Sequence, residues 1–391
     1  MDLILLKKMF TPRLRMWFAL AHRKPDRPPL DLGSTPNTGI SKLAYLKLVQ
    51  YLGIQLKCEP RILHVPFQLV EVEEEVLEVL HIDTRPVYAN PPARSQARFL
   101  EGGAYKDEWG VIYRPVKYQG QVLYYDMVES PLSNARTLRD VEGHSWPDPC
   151  DPTPFAGLGE KAKKLRDKTE YALVGHPGFS TSIFQAACSI RGYANFLIDL
   201  MKRKELAHAI LQIITEIQIE RMKRYLQEVG PYLDVVCVGD DFCHQRGPLM
   251  SLQIFREMLK PYLKRYYETI KSFTSAKLHL HSCGAVHHIL DELIDIGVDI
   301  INPVQVSAEG MEPSWLKKRF GEKIVFWGGI DTQKILPFGS VEDVRREVRR
   351  ITQILGENGG YVLSAVHNIQ ADVPPENIVA MFDEAYKLGQ S

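Results

Sequence analysis

Along the second half of the chain, short runs that are apolar at nearly every position alternate with longer stretches whose apolar residues recur every three or four places. Residues 234–240, 276–281, 298–302, 324–328 and 361–366 are of the first kind, rich in β-branched and aromatic side chains and each followed by polar residues or glycine. Such runs read as strands buried on both faces, the condition of parallel strands packed between helices. Stretches 251–273, 286–296 and 341–355 carry helical periodicity, and the last is opened by Ser340 with Asp343 at capping-box distance. Strand and helix alternate every ~25 to 40 residues, the rhythm of a βα barrel or a doubly wound sheet, and periodicity does not separate the two.

The first half is less regular. Residues 27–33 and 171–175 read as earlier strands, residues 1–26 as an amino-terminal helix, and residues 109–127, turning at Gln119-Gly120, as a β-hairpin within an insert over 100–130. No Gly/Ser linker, low-complexity tract or repeat divides the chain, so residues 1–391 are expected to form one domain.

Composition narrows the function. Hydrophobic residues at 45% and charged residues at 25% fit a water-soluble chain with ample core. Lys+Arg and Asp+Glu both number 48, so no charge excess draws the chain to nucleic acid or an anionic membrane, and a small-molecule substrate is expected. The apolar run Leu3 to Leu6, ended by Lys7 and Lys8, is too short for a signal or a membrane span, which points to the cytoplasm. Cys58, Cys150, Cys188, Cys237, Cys243 and Cys283 are scattered, so reduced thiols are expected, explained by packing or metal chemistry.

The richest stretch for chemistry is Lys277-Leu-His-Leu-His-Ser-Cys-Gly284. Alternate side chains of a strand share a face, so His279, His281 and Cys283 point one way and Leu278 and Leu280 the other. Nitrogen and sulfur donors two residues apart suit zinc, whose catalytic sites take three protein ligands and keep one position open. His367 is the best third ligand, because it ends the last predicted strand and barrel strand ends converge on one face. His244 and His176 are weaker ligand candidates, and His176 remains a candidate substrate contact. His287 and His288 fall on the following helix and read as structural. Asp240 and Asp241 close another strand as candidate proton donors, and only one can face the site because neighbours on a strand point oppositely. Asn302, Gln305 and Asp331 sit at strand ends as candidate substrate-pocket walls, or as turn formers. There is no glycine-rich phosphate loop, since Gly328-Gly329 stands isolated, and no G-x-S-x-G elbow, which weighs against nucleotide-driven and acyl-transfer chemistry.

At these residues the chain resembles the uroporphyrinogen decarboxylase superfamily, and within it the zinc-dependent corrinoid methyltransferase branch. The stretches that carry the likeness are His281-Ser-Cys-Gly284, Gly297-Val-Asp-Ile-Ile-Asn-Pro-Val-Gln305, Phe326-Trp-Gly-Gly-Ile-Asp-Thr-Gln333, Ile369-Gln-Ala-Asp-Val-Pro-Pro-Glu-Asn377, Gly239-Asp-Asp-Phe242 and Arg23-Lys-Pro-Asp-Arg-Pro28. The resemblance implies a TIM (β/α)8 barrel, here with the inserted hairpin in its amino-terminal half. It carries the zinc ligands of H-x-C-G onto His281 and Cys283. The thiol-methylating members place a cysteine near the end of the last strand, where this chain has His367, as the decarboxylases do. The arginine-rich amino-terminal and F-S-D-I segments of true decarboxylases are missing. His81-Ile-Asp-Thr-Arg85 is the nearest stretch, leaving Asp83 and Arg85 as substrate-contact candidates.

The activity this implies is methyl transfer between a small methylated compound, best an aryl methyl ether undergoing O-demethylation, and the cobalt of a corrinoid. Methyl transfer to a thiol and polycarboxylate decarboxylation are the alternatives. The chain lacks the D-x-H-x-x-G signature of corrinoid carriers, so cobalamin is expected on a partner protein. The resemblance also allows a homodimer.

Overall fold

In chain order, the elements that matter for the site are helix α1 (Pro12–Leu20), strand β1 (Thr84–Tyr88), the insert strands β2 (Arg98–Phe99), β3 (Tyr105–Lys106), β4 (Ile112–Tyr118) and β5 (Gln121–Glu129), strand β6 (Ala172–His176), helices α2 (Phe184–Arg191) and α3 (Tyr193–Lys202), and strands β7 (Val235–Gly239), β8 (Lys277–His281), β9 (Ile300–Asn302), β10 (Val325–Trp327) and β11 (Tyr361–Val362). They are taken from a computed structural model that describes residues 10–177 and 180–390.

Seven parallel strands form one sheet in the order β11-β10-β9-β8-β7-β6-β1. Its edges are joined by the segment around Leu30. Asp83 N–H donates to Leu30 O (2.9 Å), Asp31 N–H to Leu363 O (3.0 Å) and Leu363 N–H to Pro29 O (2.9 Å). These bonds close an eight-stranded α/β barrel, so the TIM-barrel reading holds and the doubly wound alternative falls. The strand expected over 27–33 is reduced to a bridge at Leu30, because Pro28 and Pro29 have no N–H to offer a ladder.

Both faces of the strands are apolar because helices cover the outside and side chains fill the inside. The interior is packed by Ala172, Val174, Val235, Cys237, Ile300, Val325, Trp327 and Val362, together with Met16 and Leu20 of α1. Helix α1 therefore plugs the amino-terminal end of the barrel. It is capped by Thr11, whose side chain accepts from Leu14 N–H, and Pro12 occupies the first helical turn, where a missing N–H costs nothing. The amino-terminal helix expected over 1–26 is thus Pro12–Leu20, and residues 1–9 lie outside the described residues.

An ion network seals the same end. Arg15 reaches Asp26 (2.7 Å) and Asp83 (2.6 Å), and Arg27 reaches Asp83 (2.6 Å). Asp83 also accepts Leu30 N–H at 2.7 Å. Arg85 binds Glu74 (2.6 Å) and lies 3.5 Å over the Tyr171 ring. Asp83 and Arg85 are therefore consumed in structural contacts on the amino-terminal side of β1, and their expected role as substrate contacts is corrected.

The stretch expected as one helix over 251–273 is interrupted by a π-helical segment, Phe255–Leu259, before Lys260–Phe273. Pro261 lacks an N–H and its ring crowds the carbonyl four residues back, and the wider turn relieves both. Helix Val341–Leu355 is capped as its sequence foretells, Ser340 and Asp343 bonding each other's backbone.

The insert is a four-stranded antiparallel sheet, β2-β3-β4-β5, whose long hairpin turns at Gln119 (φ 50°) and Gly120 (φ 80°). Left-handed residues at both turn positions match the twist of the flanking strands. Among the described residues, no helix is long and apolar enough to cross a membrane.

Candidate metal centre at the barrel mouth

Strand β8 carries His279 and His281 inward, in register with Cys237 and Gly239 on β7 and with Ile300 and Asn302 on β9. His279 sits one layer below the mouth, edge-on to Trp327 with ring centroids 5.1 Å apart. His281 stands at the carboxyl end of the strand, where barrel active sites are built. Beyond it the chain turns sharply at Gly284 (φ 89°). A Cβ there would come within 2.6 Å of His244 O, so only glycine lets the two loops pass. Gln305 Oε1 accepts Gly284 N–H (2.6 Å) and Asp241 Oδ1 accepts Cys283 N–H (2.7 Å), which fixes the thiol at the mouth.

His367 arrives from beyond β11 and meets His281 edge to face, ring centroids 5.3 Å apart. The ligand atoms of His281, Cys283 and His367 all lie within 4.8 Å of one another, the metal-type cluster among the described residues. His281 Nε2 and Cys283 Sγ are 3.4 Å apart. Two ligands at ~2.0 and 2.3 Å from a tetrahedral ion would be about 3.5 Å apart, so this pair already has coordinating separation.

The hydrogen-bond pattern assigns the free lone pair. Asn302 Nδ2 donates to Trp327 O (3.1 Å), which turns the amide oxygen toward His281, and His281 Nδ1–H donates to that oxygen at 2.6 Å. Nε2 is then the unprotonated nitrogen facing Cys283. Trp327 is held in turn by its indole N–H on Asp31 (3.0 Å). Burial lowers the pKa of both His281 and His367, the latter to about 4 with His281 close by, so both imidazoles are neutral at pH 7, as metal ligands must be. Burial, then the Asp241 charge, pushes the Cys283 thiol well up. A dication would offset that cost by displacing the proton. The donor set and its preset geometry fit a metal ion.

The two adjacent aspartates divide as the strand geometry requires. Asp241, its side chain 27% exposed, places Oδ1 4.0 Å from His281 Nε2. Its other oxygen accepts Gln185 Nε2–H at 2.9 Å. Asp240 is buried and accepts three backbone N–H groups at the start of α2, from Ile183 (2.8 Å), Phe184 (2.8 Å) and Gln185 (2.7 Å). Burial pushes its carboxyl up to about 7 against the pull of those donors. Asp240 therefore holds α2, and with it Gln185, in place, whereas the catalytic role expected for it needs a carboxylate facing the ligand atoms.

The other expected residues are distributed as follows. Asn302 is fully buried with both amide ends engaged, so it orients His281 and does not line an open pocket as expected. Gln305 holds Gly284, and Asp331 Oδ1 accepts Gln333 N–H (2.8 Å) in the turn after β10. His176 ends β6 edge-on to Tyr88 (5.9 Å), its pKa lowered to about 3 by burial. His244 is exposed, accepts Arg246 N–H at Nδ1 (3.1 Å) and lies outside the His281–Cys283–His367 group. His287 and His288 pack ring against ring at a tilt (centroids 3.9 Å apart) outside the cluster. Gln185 had no signal in the sequence. Gln185 reaches Asp241 because the start of α2 is bound to Asp240, one residue beyond β7.

Replacing Asn302 by alanine is expected to free the His281 ring and weaken metal binding by about 10- to 100-fold, measured by competition with a chromophoric chelator. Unchanged affinity would show that Asn302 does not set the ring.

The family profile described as "Uroporphyrinogen decarboxylase (URO-D)" matches residues 120–388, and the chain belongs to that family. Its relatives carry two kinds of activity in their names. "Uroporphyrinogen decarboxylase" of Legionella pneumophila (strain Corby) is 22% identical over 279 residues, covering 69% of this chain and 74% of that protein. "Methylcobamide:CoM methyltransferase MtaA" of Methanosarcina barkeri is 26% identical over 232 residues, covering 58% and 63%. Among solved structures, "methyltransferase from Methanosarcina mazei" superposes over 97% of this chain and 99% of its own at a TM-score of 0.63 and 19% identity, which establishes the shared fold.

Proposed function

We propose that this chain is a zinc-dependent methyltransferase that moves a methyl group between a small methylated compound and the cobalt of a corrinoid protein. An aryl methyl ether is the preferred donor. The observation that carries this reading is the meeting of His281, Cys283 and His367 within 4.8 Å at the barrel mouth, with His281 already held in its ligating tautomer. These three residues would hold the ion. When bound, zinc supplies a Lewis acid that draws charge from the leaving heteroatom. Neutral His367, standing in place of a thiolate, leaves the ion more electrophilic and favours that use.

In the forward direction the O–CH3 bond breaks with its electron pair on oxygen. The methyl carbon bonds to Co(I) on the partner, which is thereby oxidised to Co(III), and the oxygen takes a proton. Asp241 is the residue placed to hold that proton beside the leaving oxygen, oriented by Cys283 N–H and by Gln185. Gln305 and Asn302 position the ligands, and Asp331 and His176 are the proposed outer walls for substrate. The partner's corrinoid would dock over the mouth, where the carboxyl ends of the strands open, and neither nucleic acid nor a membrane has a part.

The Methanosarcina barkeri relative, named for coenzyme M, supports a second reading in which a thiol accepts the methyl group. The decarboxylase reading loses support, because Asp83 and Arg85 are locked into contacts at the amino-terminal side of β1. The test is anaerobic incubation of zinc-loaded protein with a Co(I) corrinoid protein and a panel of methoxylated aromatics, methanol and methylthiols. Loss of the Co(I) absorption with growth of the methylcobalt(III) spectrum is expected with at least one aryl ether. No methylcobalt from any donor, and no demethylation by thiols in reverse, would refute the proposal.

A further inference from the structure

Helix Lys42–Leu52 begins without a side-chain cap. Ser41 stands at its N-cap position with extended backbone (φ −69°, ψ 149°), where a serine hydroxyl ordinarily accepts a first-turn N–H. Its side chain makes no such bond, and the first turn holds no acidic residue. The backbone of the same residue is engaged on both sides. Ser41 N–H donates to Ile369 O (2.9 Å), Ser41 O accepts Tyr45 N–H (2.9 Å), and Lys42 N–H donates to Gln68 O (2.8 Å). The hydroxyl is left over, for Ser41 is 3% exposed and its Oγ has no hydrogen-bond partner among the described residues. A buried hydroxyl without a partner carries the desolvation cost of a polar group with nothing to offset it, and such an atom points to a ligand.

A cavity of about 270 Å³ opens at this point, between the helix start, the segment after β11 and hairpin strand β5. Ser41, Leu43, Gln68, Val122, Tyr124 and Gln370 line it. Tyr125 N–H on Pro66 O (2.7 Å) fixes the hairpin across the gap, and Lys47 Nζ on Ala371 O (2.7 Å) fixes the opposite wall. The helix start brings a partial positive charge and first-turn N–H groups beyond Lys42 that the Ser41 side chain leaves uncapped. Lys42 stands beside them, paired with Glu59 (2.7 Å), and Asp372 on the exposed rim is the one acidic lining residue. None of His281, Cys283, His367 and Asp241 lines this cavity, so it is separate from the metal centre.

We propose that the cavity is a second binding site, for a small aryl carboxylate. The carboxylate accepts from Ser41 Oγ–H and from the uncapped first-turn N–H groups, and the ring lies among Leu43, Val122 and Tyr124. Charge selects the class, because an anion gains from the N–H groups and the helix dipole together, whereas a cation would meet only donors. Size follows from the volume. At about 270 Å³ the cavity falls just below the roughly 300 to 1,000 Å³ of pockets for drug-sized ligands, and it admits a single ring with its carboxylate. The apolar walls and the Tyr124 ring favour an aromatic body over a bare inorganic anion. The site depends neither on the metal nor on methyl transfer.

The test is calorimetric titration of the full-length protein, zinc-loaded and after chelator treatment, with benzoate, benzamide and inorganic phosphate. Benzoate is expected to bind in both states, about tenfold more tightly than its neutral isostere benzamide and than phosphate. Ser41→Ala should weaken benzoate by about 5- to 10-fold. The urea midpoint of the ligand-free Ser41→Ala protein should be unchanged or raised, because the hydroxyl caps nothing. Val122→Trp, which fills the cavity from the half-buried face of the hairpin, should abolish benzoate binding and leave the circular dichroism spectrum as it is. Should Val122→Trp misfold, Ser41→Ala decides the matter.

Equal binding of benzoate and benzamide would overturn the proposal, as would wild-type benzoate affinity in either folded variant. Benzoate bound only by zinc-loaded protein would assign it to the metal centre and remove the second site. Phosphate bound more tightly than benzoate would overturn the aryl class. No binding of benzoate or phosphate would leave the Ser41 hydroxyl to water alone, and a Ser41→Ala protein destabilised without ligand would make that hydroxyl a helix cap; either result removes the site.

Discussion

Cys283→Ala is expected to lose its metal and its methyl-transfer activity together, while folding as the wild type does. The thiol is the only sulfur donor of the cluster and is presented by a turn, not by the strand ladder, so its removal leaves two imidazoles and no anionic ligand. A Lewis acid at a developing charge lowers the barrier by several kcal/mol, and each 1.36 kcal/mol is tenfold in rate, so kcat should fall by about 1000-fold or more. Elemental analysis should find one zinc per wild-type chain and far less than one in the variant. Dialysis of the wild type against a strong chelator should reproduce the loss, and added zinc should reverse it in the wild type only. Stoichiometric zinc in Cys283→Ala with wild-type turnover would remove this residue from the site, and with it the reading built on the cluster.

The second large effect is on stability, at the opposite end of the barrel. Asp83 is 1% exposed and serves Arg15, Arg27 and the Leu30 N–H at once. Removing one partner of a buried ionic cluster leaves the other charges uncompensated, which costs about 3 to 5 kcal/mol. Asp83→Ala also removes the acceptor for Leu30, the residue through which the barrel closes. The expected result is a urea midpoint shifted down by that free energy, or failure to accumulate folded protein. The folded fraction should keep its zinc, because the cluster lies at the far mouth. A stability change under about 1 kcal/mol, or zinc lost from folded protein, would contradict the division of the barrel into a sealing end and a reactive end.

Much of the candidate metal centre was legible in the chain. His281 and Cys283 announced themselves because strand side chains alternate, and two donors two residues apart must share a face whatever the strand packs against. His367 was legible because parallel barrel strands deliver their carboxyl ends to one rim. The division of labour between Asp240 and Asp241 was legible only as a rule that one must turn away. Which one does so depends on α2, whose first N–H groups claim Asp240. Asn302 read as a pocket wall because a polar residue at a strand end has no visible partner in sequence. Its partners, His281 and the Trp327 carbonyl, are 21 and 25 residues away. Asp83 and Arg85 read as substrate contacts for the same reason, and long-range ion pairs with Arg15, Arg27 and Glu74 assign them elsewhere.

By itself, then, the chain determined the properties that follow from local period and chemistry. These are buried parallel strands from unbroken apolar runs, the Ser340 cap, the hairpin turn at Gln119-Gly120, and a nitrogen and sulfur donor set with the spacing of a strand. Tertiary structure alone decided how the barrel is stoppered by α1 and which aspartate faces the ligands. The physical reason is range. Backbone propensity and side-chain alternation act over a few residues, whereas a hydrogen bond or a ring contact is set by which distant segments the closed sheet brings within a few ångströms.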